Sequence, residues 1–555
     1  MKLLFQLVVI LLSLVVELPV MVSGLVSTTP TAPSLKNLPR DVGQLVDPLV
    51  DSDNTSTRSG RRTTKMMRNK KNKNKNLSAS TTLPLRIDGV WYDVQEYADK
   101  HKGGRWILDY AKGRDVTAIF HAVHMHGEKK AAAALDKLPI LDDYMGNEIK
   151  LPTRNGLSKS QLEIQEAIQG PYVLSIDDAL ERPLPPIKES PLRQELQQMV
   201  QRRFKSIESM KATPLHWART IVAFALTLSC WNGWFHGDVT AIMLLPLAHW
   251  LLAAHTVHEA THGALSSNPA INFWAQFTAH PILFNVYVWI PQHILSHHQY
   301  TNDPQHDVDC HHFASARLAQ EQSPYKEDSD KNEGWTFVWK GCLTTLGTSV
   351  LQPLRTLLDN PTPNFDVNIT PIPAAVSKKT LLISMLPSFF VLLYPIIAGV
   401  TGMMTPGQAI VAEIWPWVGM SIIWTVMTQT SHIQEDTQWK QASSALSPDD
   451  EECDVPESFN DGVGDCWTAQ QIATSKDYSI GNPVLTWATA GLNNQGMHHA
   501  LPTISSCHFA EMYEEYEQIC RKHGVQPRQT QNLRTACVEM MEFIFQLNEP
   551  RNVQQ

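Results

Sequence analysis

Cysteine is scarce and unpatterned in this chain. Eight cysteines are spread over 555 residues, at positions 230, 310, 342, 453, 466, 507, 520 and 537, and no two stand as CxxC. That spacing excludes a zinc ribbon and a dithiol redox motif, so free thiols are expected. Residues 25–84 lack hydrophobic periodicity and are rich in Ser, Thr, Pro and Asn. Such a segment has too little apolar surface to offset the entropy of ordering and is expected to be disordered. Acidic residues are missing between Arg58 and Lys75, where nine Lys and Arg fall. A run of one sign suits anionic lipid, a segment retained in the cytosol, or a transit-type peptide. Asn54 and Asn76 open N-x-[ST] sequons, which matter only on a lumenal segment.

What is present comes in blocks. The net charge of −9 and the 43% hydrophobic content average over very polar and very apolar stretches. The length allows two or three domains, and no nucleic-acid partner is expected. Residues 1–24 hold an apolar run after Lys2 and read as a signal peptide or signal anchor. Residues 85–140 form a compact block with a strand at 90–94, short helices, and breaks at Gly103-Gly104 and Gly113. His101 and His124 flank a helical pair there, as two axial ligands of a haem would; His121 and His126 compete for the second role. Residues 141–212, with four prolines between Pro183 and Pro191, read as a stiff linker.

Four apolar segments, at 217–235, 239–257, 380–401 and 408–428, approach the roughly 20 residues that cross a bilayer. Segments 271–291 and 334–351 are interrupted by polar residues and read as interfacial or re-entrant. The histidines follow these segments. His258 and His262 are four apart, on one face of a helix. His293, His297 and His298 form HxxxHH, His432 follows the fourth span, and Gln495, His498 and His499 form QxxHH. Imidazole suits iron, zinc and copper. With four crossings every cluster emerges on one side of the membrane, together with the haem block; a fifth crossing at 271–291 would separate the first two clusters. An acidic loop at 436–467 and an amphipathic helical tail from Phe509 to Asn548 complete the chain.

The block at 85–140 resembles the cytochrome b5 family. It has His101-Lys102-Gly103-Gly104 where that family has His-Pro-Gly-Gly, and Asp115 to Phe120 reads as its Asp-x-Thr-x-x-Phe stretch. From His258 to about Val525 the chain resembles the membrane fatty-acyl desaturases, through HEATH at 258–262, QHILSHHQYTN at 292–302, QTSHIQED at 429–436 and GLNNQGMHHALP at 491–502. A third box opened by Gln and a fused haem block resemble the front-end class. The fold implied is a small α+β haem domain, then an all-α membrane domain (213–548) with four transmembrane helices and a cytosolic helical cap.

The resemblance implies two iron ions held by His258, His262, His293, His297, His298, His432, His498 and His499, and haem b held by His101 and His124. Gln495, Asp307 and Asp309 are expected behind the ligands, orienting rings or holding water. His255 stands one turn before the first box, and His306, His311 and His312 read as loop residues. An alkyl C–H bond offers no acidic proton, so a metal cofactor must supply the oxidant. The expected reaction uses O2 and single electrons from the haem domain to insert a cis double bond between an existing double bond and the carboxyl end, at delta-5 or delta-4. Expected partners are a membrane acyl lipid or acyl-CoA and an NADH-dependent cytochrome b5 reductase. The expected location is the endoplasmic reticulum membrane, with a plastid membrane as the alternative. A lipid hydroxylase on the same scaffold, or a haem-binding membrane electron carrier, are the rival readings.

Overall fold

The computed structural model describes residues 82–141, 190–303, 307–311, 316–320, 331–358, 376–438 and 466–550. The apolar leader, the basic run, both sequons, the linker prolines before Ser190, His306, His312 and most of the acidic loop lie outside the described residues.

The amino-terminal module is a hairpin of β1 (Pro84–Ile87) and β2 (Val90–Asp93) followed by three short helices, α1 (Arg105–Tyr110), α2 (Thr117–Val123) and α3 (Glu128–Leu135). Asp88 and Gly89 supply the positive φ of the two-residue turn. The linker reading needs correction. Its last part is helix α4 (Pro191–Arg203), started by the Ser190 cap on Arg193 N. Leu192, Leu196, Met199 and Val200 recur at helical spacing and are fully buried. They pack beneath α12 (Phe509–Lys522) of the carboxy-terminal cap. Arg193 donates to His121 O at 3.0 Å and Gln197 to Met125 O at 2.7 Å, so α4 also grips the haem module.

Among the described residues, three helices are long and apolar enough to cross a membrane: α6 (Val239–Thr261), α8 (Lys378–Val400) and α9 (Pro406–Gln429). A fourth, α5 (Pro214–Phe235), has the length, but His216, Arg219 and Asn232 lower its apolar character. Outward faces of α5 and α8 expose Ile221, Val222, Phe224, Leu386, Phe390 and Ile397. Water would penalise such a belt, whereas acyl chains would not. α5 packs along α6, α6 along α9, and α8 along α9. Gly233 permits the first crossing, since a Cβ there would lie 2.2 Å from Ala241 Cβ. Segments 271–291 and 334–351 form only short, broken helices, including α7 (Val286–Gln292).

The carboxy-terminal part is not purely helical. Between α10 (Trp467–Ala473) and α13 (Leu533–Leu547), β3 (Lys476–Tyr478) pairs in parallel with β4 (Arg528–Thr530). Three-residue strands are too short to show a two-residue period. Here β3 is wholly buried, and pairing satisfies backbone groups that water cannot reach. It leads towards α11 (Gln495–Ala500), which carries the third box.

Candidate metal centre and haem cradle

Two of the histidine boxes are built on the same backbone device. Regular α-helix gives way to a wider π turn at Ala254–His258, ahead of His262, and again at His293–His297. Such turns are frequent at functional sites because they re-aim consecutive side chains. In α11 the Gly496 N–H donates to the buried Asp477 carboxylate at 2.9 Å, which also accepts from the Tyr513 hydroxyl. β3, the cap and the third box are thereby locked together.

Eight histidines from four chain segments converge. His258, His262, His293 and His498 bring their ligand atoms within 4.8 Å of one another, and all four are buried. His262 and His293 face each other Nε2 to Nε2 at 2.9 Å, and His298 Nε2 reaches His293 Nε2 at 3.2 Å. The Nε2 atoms of His258 and His498 have no hydrogen-bond partner. Buried nitrogens left unpaired are costly unless something accepts their lone pairs, so this donor set suits a cation. Burial and mutual proximity hold His262, His293, His298 and His498 well below the usual imidazole range, with lone pairs free.

A second group joins His297, His432 and His499. His297 donates from Nδ1 to Asp307 at 3.0 Å, with Asp309 at 3.5 Å, which leaves Nε2 for a ligand. Burial opposes a charge on His297, but the two carboxylates outweigh it and raise the ring to about 9. His499 uses Nδ1 on Gln471 Oε1 (2.9 Å) and Thr301 (3.1 Å), again leaving Nε2. The Gln495 amide stands 2.9 Å from His432 Nε2 and 3.2 Å from His499 Nε2. A side-chain amide at that point is placed to ligate or to hold a water. His255 joins neither group; its ring lies on Trp487 and against His216.

The amino-terminal module carries its own site. His101 and His124 face each other with ring centroids 6.3 Å apart. Two metal–nitrogen bonds of about 2 Å plus two ring radii fill that distance. His101 Nδ1 bonds Gly104 O at 3.1 Å and His124 Nδ1 bonds Phe120 O at 2.7 Å, so both Nε2 atoms are left to the cavity. Gly103 lies under the His101 ring, where a Cβ would come within 2.9 Å. His121 instead binds Asp88 and Glu128, and His126 binds Phe204 O. The apolar cavity between the rings has part of its wall supplied by Ile290, Pro291, Ile294 and Leu295. Those four belong to α7 and the second-box turn, so the haem cradle and the metal centre share a wall. Gln299 reinforces the contact by donating to Asp115 O at 3.2 Å.

The profile of the fatty acid desaturase family matches residues 238–531, more than half of the chain. The chain belongs to the fatty acid desaturase family. A second profile, cytochrome b5-like heme/steroid binding domain, matches residues 71–151. This desaturase is therefore a fusion of a cytochrome b5-like domain with an oxygen-dependent acyl desaturase domain. It is similar to an acyl-lipid omega-13 desaturase of Chlamydomonas reinhardtii, 24% identical over 83% of this chain and 93% of the relative. An acyl-lipid (7-3)-desaturase, chloroplastic, of the same organism is 25% identical over 79% and 75%. Delta(5) fatty acid desaturase A of Dictyostelium discoideum is 22% identical over 84% and 91%.

The desaturase also has a second cleft, walled by Trp250, Phe284, Trp289 and Trp424 and floored by His258, His293, His297 and His432. Sequence reasoning missed Gln471, which holds His499 from outside any motif. It also missed Asn302, whose amide binds the carbonyls of His432, Thr437 and Thr474. The Thr-Asn after the second box was the available signal. Asp307→Asn removes the charge behind His297 and is expected to weaken iron retention about 10- to 100-fold, read by chelator competition with the haem spectrum unchanged.

Proposed function

We propose that this desaturase places a cis double bond between an existing double bond and the carboxyl end of an acyl chain carried on a membrane lipid, at delta-5 or delta-4. The observation that carries this reading is the aromatic cleft opening directly onto both histidine groups. The eight histidines would hold two irons, with Gln495, Asp307 and Asp309 as supports, and His101 and His124 would hold haem b. Bound there, the irons would supply an oxidant strong enough for an unactivated C–H bond and the haem would supply single electrons.

The chain's own residues do the rest. Trp250, Phe284, Trp289 and Trp424 give the acyl chain an apolar bed and exclude water. Asp307, Gln471 and Thr301 keep protons on the outward nitrogens, so the inward ones remain basic. Ile294, between His293 and His297, separates the haem cradle from the metal groups by a single helix. Trp424→Ala would lengthen or widen the cleft. The expected result is a fall of about ten- to a hundredfold in kcat/KM for the natural chain and a changed distribution of double-bond positions in the lipid products.

Four crossings, with α5 as the first, would put all boxes and the haem domain on one face, and the convergence of the boxes supports that reading. The name of the chloroplastic relative favours a plastid membrane over the endoplasmic reticulum. In a plastid the electron donor would be that compartment's reductant rather than an NADH-dependent reductase. The relatives' names span several bond positions, the Delta(5) enzyme among them. Expression in yeast fed defined polyunsaturated acids tests the reading. New front-end double bonds are expected; products heavier by one oxygen would instead establish a hydroxylase, and unchanged lipids would leave an electron carrier.

A further inference from the structure

One buried cluster is used by none of this. His255 lies on α6 one turn before the first box, and Glu259 follows it by four residues on the same face. His216, in the first turn of α5, meets both. The ligand atoms of His216, His255 and Glu259 lie within 4.8 Å of one another, and all three side chains are buried. Neither ring nitrogen of His255 has a hydrogen-bond partner, nor does His216 Nε2. His216 Nε2 stands 3.7 Å from Glu259 Oε2. That is too long for a hydrogen bond. It is close to the edge of a tetrahedron whose metal bonds are about 2.1 Å, roughly 3.4 Å.

The surroundings fit a cation. Glu259 is held from behind by Ser505 Oγ at 2.8 Å, by Ser506 N at 3.1 Å and by Ser506 Oγ, as metal-binding carboxylates commonly are. The next residue, Cys507, is half-buried, and its Sγ lies 3.3 Å from Ser505 Oγ. Lys211, the nearby ammonium, donates to Thr503 O. Two imidazoles and a carboxylate present three donors to a dication.

The geometry points to a separate zinc-type site in which His216, His255 and Glu259 are the ligands and a fourth position stays open. It ties α5, the helix of the first box and the 505–507 turn together, and it holds His258 and His262 in place from outside the two iron groups. The inference does not depend on the reaction proposed above. Two nitrogen donors and one oxygen donor in a buried set select Zn2+ over Mg2+ or Ca2+.

The full-length protein, expressed with zinc and iron and purified in lipid nanodiscs, tests this by elemental analysis and zinc-edge X-ray absorption. A single zinc ion per chain is expected in addition to iron, with only nitrogen and oxygen neighbours at about 2.0–2.2 Å. His216→Ala and Glu259→Gln should each lower zinc content about tenfold or more while iron per chain is retained. A wild-type protein without zinc, or with zinc that has a sulfur neighbour, overturns the assignment. So does zinc that persists in His216→Ala. Should that variant fail to fold, the zinc content of the wild-type protein decides.

Discussion

His293→Ala is expected to abolish desaturation, by about a thousandfold or more. Its Nε2 lies within 2.9 Å of His262 Nε2 and 3.2 Å of His298 Nε2, and its ring is stacked on Trp289 at 4.3 Å. It is therefore both the hub of the first group and part of the cleft floor. Iron content should fall while the haem spectrum remains, because His101 and His124 stand on another module. Product analysis in yeast with parallel iron and haem determination checks this. Undiminished turnover would remove the first group from the chemistry.

His124→Ala is expected to have the converse signature. The ring supplies one of only two nitrogens facing the cradle, and burial keeps it neutral, lowered to about 4. Haem should be lost, iron retained, and turnover reduced about a hundredfold, since a fused donor acts at an effective concentration of about millimolar. Added free cytochrome b5 in its reduced form should restore part of the rate. A variant that keeps its haem spectrum would mean that His121 or His126 can take over, which their bonds to Asp88, Glu128 and Phe204 O oppose. Because Ile294 and Leu295 form part of the cradle wall, Ile294→Glu should weaken haem retention although it lies in the desaturase domain. Haem transfer to apomyoglobin measures that retention.

Much of this was legible because chemistry and spacing coincide. His258 and His262 share a helix face by their interval alone, and His498-His499 ends an apolar stretch where a structural histidine would be out of place. The α4 helix was also readable, since Leu192, Leu196, Met199 and Val200 carry a helical period; the prolines before it drew attention to stiffness instead. Other features left no local trace. A five-residue π turn has no hydrophobic signature, so the altered aim of His258 and His297 was invisible. Gln471 reaches His499 only because α10 packs on α11, and the β3–β4 pair is shorter than any recognisable period.

The sequence by itself determined the donor chemistry, the histidines that could face a haem, and the position of the long apolar helices, because these depend on residue type and intervals along one helix. Which ring joins which metal group, the separation of His255 from both, and the wall shared by the haem cradle and the second box were decided by tertiary structure. They depend on distances between segments some 240 positions apart, and only packing sets those.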